Sequence, residues 1–348
     1  MEFRSDNTAG ACPEIMAAIA RANEGTAASY GADPISLGLQ AKFSRLFERE
    51  VAVFPVATGT AANSLALAAI APPWGVVYAH RESHIEQDEC GAPEFFTGGA
   101  KLALLDGPHA KLSAADLDRR LAGAGAGVQH HAQPAAVSIT QASERGAVYR
   151  SEEVAAIGQV CRKHRLALHM DGARFGNALA HLGCSPAEIT WKAGVDILSF
   201  GATKNGALAA EAVVFFDPAK AEDFLYRRKR AGHLFSKMRF LSAQLDAYLE
   251  QDLWLRNAAH ANAMARRLSE GLARLPGARL DTPVEANEVF IDLAEPTIQA
   301  LEAAGLRFHR WEPGGTLIRL VTAWSTTAAE VDRVLAAAGQ AVAGRAAE

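Results

Sequence analysis

Four polar groups in this chain have types and spacings that suit one chemistry. Lys204 is the one lysine in DILSFGATKNGALAAE (196–211), a run otherwise small and mostly apolar. A surface loop lysine is the ordinary reading. The sharper one is an amine held out of water, free to attack an aldehyde. Asp171 closes the apolar stretch LALHMD and precedes Lys204 by 33 residues, about one helix plus one strand, so both can end on one rim of a sheet. Such a carboxylate either sits solvated in a loop or holds a heterocyclic N–H⁺, as with the pyridinium of pyridoxal phosphate. Arg174 pairs with that carboxylate or with a cofactor oxygen. His84, in RESHIEQDECG, either stacks on a flat ring, moves a proton near neutral pH, or does neither. Gly59 and Thr60, in ATGTAAN, mark a glycine turn into a helix N-terminus, which suits a phosphate or is simply a cap. Neither Gly-x-Gly-x-x-Gly nor a Walker lysine is present, so a dinucleotide or nucleoside triphosphate is not indicated. Phosphate cradle, pyridinium partner, stacking imidazole and amine, in that company, make a pyridoxal phosphate site.

These groups need strand ends to hold them, and the middle of the chain supplies strands. VAVFPVATG, GVVYAHR, KLALLDG, AAVSITQA, LALHMDGAR, VDILSFG and EAVVFFD read as strands, with helices such as TAANSLALAAIA and RSEEVAAIGQVCRKHR between them. That alternation implies βαβ units and a mostly parallel sheet covered by helices, with ligands outside the carboxyl ends of the strands. From about Ala219 the pattern becomes helical, notably over KMRFLSAQLDAYLEQDLWLRNAAHANAMARRLSEGLARL. It then turns to strand, helix and strand in EVFIDLA, TIQALEAAG and TLIRLVT. The expected division is a segment 1–15 reaching the active site, a large α/β domain over 16–240 and a small α+β domain over 241–348. AGAGAG (122–127) reads as a loop.

Composition narrows the function classes. The 348 residues are 49% hydrophobic and 21% charged with a net charge of −4, which argues against nucleic acid or an anionic membrane as partner. The basic run RRKR (227–230) reads as a helix face. Cys12, Cys90, Cys161 and Cys184 show no metal-ligand spacing, and no window has the roughly 18–20 apolar residues of a membrane span. The charged opening MEFRSDNTAG does not resemble a signal peptide. A soluble cytoplasmic protein acting on a small molecule is expected, with no metal.

The order RSDN, SYGADP, GTAAN, SHIEQDECGAPEFF, HMDGARF and FGATKNG resembles the L-threonine aldolases, in particular the bacterial low-specificity type, over essentially the whole chain. The resemblance implies the aspartate-aminotransferase fold (pyridoxal phosphate fold type I), with a seven-stranded-type sheet in the large domain. It implies cleavage of L-threonine, L-allo-threonine and related β-hydroxy-α-amino acids to glycine and an aldehyde. By position it implies that Lys204 carries the cofactor, beside Thr203. Asp171 would hold the pyridinium nitrogen and His84 would stack on the ring, while Gly59 and Thr60 would bind the phosphate with Arg174 next to the cofactor. Arg319 would hold the substrate carboxylate, with Arg174 also at the substrate and Ser5 helping; Arg319 could instead be a buried strand ion pair, and Ser5 could cap a helix. Tyr30 would approach from a neighbouring subunit, and Lys229 and Lys237 fall where that neighbour's phosphate is contacted. Glu89 and His130 would lie near the substrate side chain, with His131 as the alternative imidazole. A homotetramer, as a dimer of dimers with sites at the subunit interface, goes with these. A β-eliminating lyase or aminotransferase would use the same lysine, aspartate and phosphate loop. A non-enzymatic cofactor-binding module and a helical interaction protein built on 240–275 are the readings from outside enzymology.

Overall fold

In the computed structural model, which describes residues 1–346, the seven strand segments named above form one sheet. They are β1 (Ala52–Val56), β2 (Gly75–His80), β3 (Lys101–Leu105), β4 (Gln133–Thr140), β5 (Ala167–Gly172), β6 (Ile197–Gly201) and β7 (Glu211–Phe215), in the order β1-β7-β6-β5-β4-β2-β3. β2 to β6 run parallel, and β7 alone runs against its neighbours β6 and β1. Parallel strands are buried on both faces, which is why Ile197–Gly201 reads as a continuous small and apolar run and is wholly buried. The covering helices show the complementary pattern. Ser151–His164 buries Val154, Ile157, Gly158 and Cys161, one stripe at helical spacing, and stops where Arg165 turns left-handed (φ 59°).

The helical run after Ala219 is interrupted. Arg239–Tyr248 and Leu253–Leu272 are separate helices, broken where Gln251 (φ 49°) and Asp252 (φ 55°) adopt left-handed backbone. The break lets the first helix pack Leu245 and Tyr248 into the main core. The second begins there, with Leu253 and Trp254, and ends in another core with Ala265, Leu268 and Leu272. That second core lies on an antiparallel sheet of β8 (Arg279–Leu280), β9 (Glu288–Asp292), β10 (His309–Arg310) and β11 (Leu317–Val321), ordered β10-β11-β9-β8. The two-residue β8 and β10 carry no readable sequence period. The N-terminal segment joins this sheet: Phe3 N–H donates to Arg307 O, and Phe3 O accepts from Val321 N–H. That tie delivers Ser5, Asp6 and Asn7 to the ends of the large sheet.

Beneath the lysine turn, Phe200 meets Phe43, Phe175, Tyr248 and Trp254 with ring centroids 5.2–6.0 Å apart. Phe200→Ala is expected to lower unfolding stability by about 3–5 kcal/mol, the range for truncating a buried aromatic ring, as read by urea denaturation.

Candidate active site

A cavity of about 480 Å³ opens at the carboxyl ends of β4, β5 and β6, floored by Thr140, Asp171 and Ser199. The helix Gly59–Ile70 points its N-terminus at one end of it. Thr58, not Thr60, is the cap, its hydroxyl accepting from Ala61 N–H. Gly59 and Thr60 therefore line the cavity with uncapped N–H groups, and a Cβ on Gly59 would meet nothing within 4 Å, which leaves room for a phosphate.

Lys204 sits half-buried in the tight turn Thr203–Asn205 between β6 and β7. Asn205 anchors that turn by donating to Tyr248 Oη and to Trp254 O, each at 2.7 Å. The small residues around it have a packing reason. A Cβ on Gly201 would lie 2.7 Å from Ala173 Cα, and one on Gly206 (φ 109°) 2.8 Å from Asn257 Nδ2. Thr203 Oγ1 accepts from Ala210 N–H at 3.1 Å, and Glu211 accepts from Ala202 N–H at 3.1 Å. Burial pushes the Glu211 carboxyl up to about 7.

Asp171 is buried and accepts from Ala173 N–H (2.9 Å) and from Asn63 Nδ2 (2.8 Å). His169, two residues before it on the same face of β5, bridges Ser138 and Ser199 at 2.9 and 3.0 Å. Burial pushes its imidazole down to about 4, so the ring is neutral. Opposite Asp171, His84 donates its backbone N–H to Glu144, which Thr140 Oγ1 also reaches at 2.6 Å. Burial pushes the Glu144 carboxyl up to about 7. Nδ1 of His84 lies 2.8 Å from Glu89 Oε1.

A second cavity, about 710 Å³, shares His84, Lys204 and Arg174 with the first and adds Ser5, Trp311 and Arg319. Of the arginines that line it, Arg174 and Arg319 differ in their partners. Arg174 is engaged by Asp6 (2.8 and 3.1 Å) and by Glu288 (3.3 Å) rather than by Asp171, and it lines both cavities. These buried acids hold its guanidinium above the ordinary arginine range despite burial. Arg319 makes one backbone hydrogen bond, to Arg4 O at 3.2 Å, stands 3.9 Å from Glu288 and leaves Nε without a partner. Its planar donors suit a carboxylate. Ser5 lines this cavity and also caps the short turn Asp6–Thr8.

Two expectations need correction, those for His130 with His131 and for Glu89. His130 and His131 are exposed residues before β4, at its amino end, whereas the cavities lie beyond Thr140 at the carboxyl end, about 25 Å along the strand. Glu89 is fully buried behind His84 and bonded to His84 and Asn63, so it cannot touch a substrate side chain. Tyr30 is exposed outside both cavities, with Lys229 Nζ 4.7 Å over its ring, and Lys237 is exposed as well. Sequence reasoning missed Asn63, Glu144, Glu211, Asp6 and Glu288. Asn63 and Glu211 had a signal, as polar residues in the otherwise small and apolar TAANSLALAA and LAAEAVVFF.

A parallel sheet that ends in an amine, an acidic residue, an imidazole and a helix N-terminus around one cavity defines a pyridoxal-phosphate enzyme of the aspartate-aminotransferase fold. The chain belongs to the beta-eliminating lyase family, which it matches over residues 2–296. It is 49% identical to a low-specificity L-threonine aldolase of Pseudomonas aeruginosa, over 96% of this chain and 94% of the other. It is 48% identical to one from a Pseudomonas species over 98% and 97%. The structure of a threonine aldolase from Leishmania major superposes with a TM-score of 0.92 at 30% identity, covering 98% and 99% of the two chains. Serine palmitoyltransferase of Sphingomonas wittichii shares the fold with a TM-score of 0.72 at 18% identity. Among the described residues no helix is long and apolar enough to cross a membrane.

Proposed function

We propose that this chain cleaves L-threonine, L-allo-threonine and related β-hydroxy-α-amino acids to glycine and an aldehyde. One arrangement carries the reading: Lys204 faces a cavity bounded by Asp171 and by the Gly59–Thr60 helix end, which opens directly onto Arg319. Pyridoxal phosphate, bound there, supplies an aldehyde for amines and a protonated ring that draws electrons from the bond being broken. Lys204 would hold the cofactor through its side-chain amine. Asp171 keeps the ring nitrogen protonated, with Asn63 and Ala173 fixing its carboxylate. Gly59 and Thr60 hold the phosphate through backbone N–H groups, with Thr203 beside them. Arg319, helped by Ser5, fixes the substrate carboxylate and so decides which bond at Cα is aligned for cleavage. Arg174, paired with Asp6 and Glu288, holds the N-terminal segment and β9 at the cavity and lies beside the cofactor and the substrate. His84 takes the β-hydroxyl proton through Nε2, the ring nitrogen that Glu89 leaves free.

Arg319→Ala is expected to raise KM for L-threonine about 10- to 100-fold, the loss of a hydrogen-bonded charge. Saturation with pyridoxal phosphate should be unchanged, as read by steady-state kinetics beside a cofactor titration. The family's own description favours a second reading, β-elimination, on the same lysine and aspartate. Products separate the two. Incubation with L-threonine and then L-phenylserine should release glycine and the matching aldehyde in equal amounts. Keto acid and ammonia without aldehyde would overturn aldol cleavage in favour of elimination. We place the enzyme in the cytoplasm as a homotetramer, in which Tyr30, Lys229 and Lys237 serve a neighbouring subunit's site, consistent with their exposure away from their own.

A further inference from the structure

Behind the groups that face the cavity lies a second tier of buried polar side chains. Asn63 sits one helical turn after Gly59. Its Nδ2 donates at 2.8 Å to Asp171 Oδ2 and at 2.8 Å to Glu89 Oε1. One amide nitrogen carries two hydrogens, so each carboxylate receives one. As an ionised carboxylate, supported by Asn63 and His84 against the upward push of burial, Glu89 only accepts, so the hydrogen of its 2.8 Å contact with His84 Nδ1 comes from the imidazole. In the neutral ring this leaves the lone pair on Nε2. The Glu89 side chain is wholly buried while that of His84 is 36% exposed, so the carboxylate acts only through the imidazole.

Ordinary packing does not account for this arrangement. Glu89 Oε2 and Asn63 Oδ1 are both buried without a hydrogen-bond partner, whereas buried polar atoms are nearly always paired. Carboxylates held in that condition cluster where their charge acts on a neighbour.

We propose that Glu89 and Asn63 are positioning residues for the reaction: Glu89 fixes the tautomer and orientation of His84, and Asn63 ties Glu89 to Asp171, joining the proton-accepting imidazole to the ring-nitrogen partner through one hydrogen-bonded chain. This rests on the reading of His84 as the base of a pyridoxal phosphate site. The charged groups around His84 are Glu89 and Asp88 on its own segment, Glu144 after β4, Asp171 on β5, Arg174 after it and Lys204 after β6. Hydrogen bonding to Glu89 has the largest effect and holds the imidazole above its ordinary value; Asp171 adds to this, while burial and Lys204 oppose it. A base with a raised pKa loses activity on the acid side at a higher pH. Removing the Glu89 charge must therefore move the acid limb of the pH profile to lower pH.

The test measures kcat/KM for glycine release against pH, together with the absorbance of bound pyridoxal phosphate, in the wild-type holoenzyme and four variants. In wild type an acid limb should appear that is missing in His84→Asn. Glu89→Gln keeps the shape without the charge. It should shift the limb acidward by about one pH unit and lower kcat on the order of tenfold, part of what base catalysis contributes, with KM nearly constant. Glu89→Asp, which restores the charge, should return the limb towards wild type. Asn63→Ala should raise the pyridoxal phosphate concentration at half-saturation about 2- to 10-fold, because Asp171 loses a donor. An acid limb that disappears in His84→Asn yet stays in place in Glu89→Gln overturns the role of Glu89 and leaves the base standing. A limb unaltered in His84→Asn, or a wild-type protein that binds no pyridoxal phosphate, overturns the underlying reading and the proposal with it.

Discussion

Lys204→Ala is expected to lower glycine release from L-threonine by at least about 10⁴-fold, the upper end of what one positioned proton-transfer group contributes. The expectation is this large because no neighbour can replace the amine. Of the residues lining the two cavities, Lys204 is the only lysine; the other cations are arginines and histidines. Arg174 is held by Asp6 and Glu288, and an arginine cannot lose a proton to become a nucleophile. The turn itself should survive the substitution. Asn205 anchors it to Tyr248 and Trp254, Gly201 and Gly206 give it its path, and none of these contacts involves the lysine side chain. Loss of activity with an unchanged denaturation midpoint, together with loss of the absorbance of lysine-bound cofactor, is the expected pair of results. Glycine release near the wild-type rate in Lys204→Ala would remove the lysine from the chemistry.

Why the sequence yields Lys204, Asp171 and His84 but not the residues behind them follows from where each lies. The first three fall at the ends of strands that parallel pairing buries on both faces, and such strands stand out as apolar runs with polar punctuation. The second tier depends on contacts between distant segments. Asp6 meets Arg174 across 168 residues and Asn63 meets Asp171 across 108, distances over which no local period connects them. The same lack of local signal explains the helix break at Gln251 and Asp252, where left-handed backbone occurs without glycine or proline to announce it. His130 marks the opposite error. The direction of β4 puts the segment just before Gln133 at the amino end of that strand, away from this chain's own cavity. The small residues near Lys204 have a second cause beyond cofactor access, since two of its glycines are required by close approach to Ala173 and Asn257.

The second large effect concerns Asp171. Asp171→Asn replaces a carboxylate by an isosteric amide. It should lower kcat about 10²–10³-fold, the usual loss when one preorganised electrostatic group is removed. Two opposite unit charges about 4 Å apart, at the effective dielectric near a protein surface, attract by about 4 kcal/mol. That is worth about three pKa units of proton affinity, at 1.36 kcal/mol for each. An amide cannot supply that charge, and it also disturbs its support. Asp171 accepts from Ala173 N–H and from Asn63 Nδ2, so an NH₂ group turned towards either donor meets hydrogen with hydrogen. Ala173 bonds Oδ1 and Asn63 bonds Oδ2, so either flip sets the NH₂ against one of the two donors and leaves no carboxylate charge to hold the ring proton. Either orientation loses the electron sink, while Lys204, on a separate turn, is left free to capture the cofactor. The expected signature is therefore specific: pyridoxal phosphate still bound, its absorbance shifted, and turnover nearly gone. Asp171→Glu keeps the charge and should recover a measurable part of the rate. Full activity in Asp171→Asn would mean that the ring nitrogen needs no proton in this site, and the role assigned to β5 would then fall.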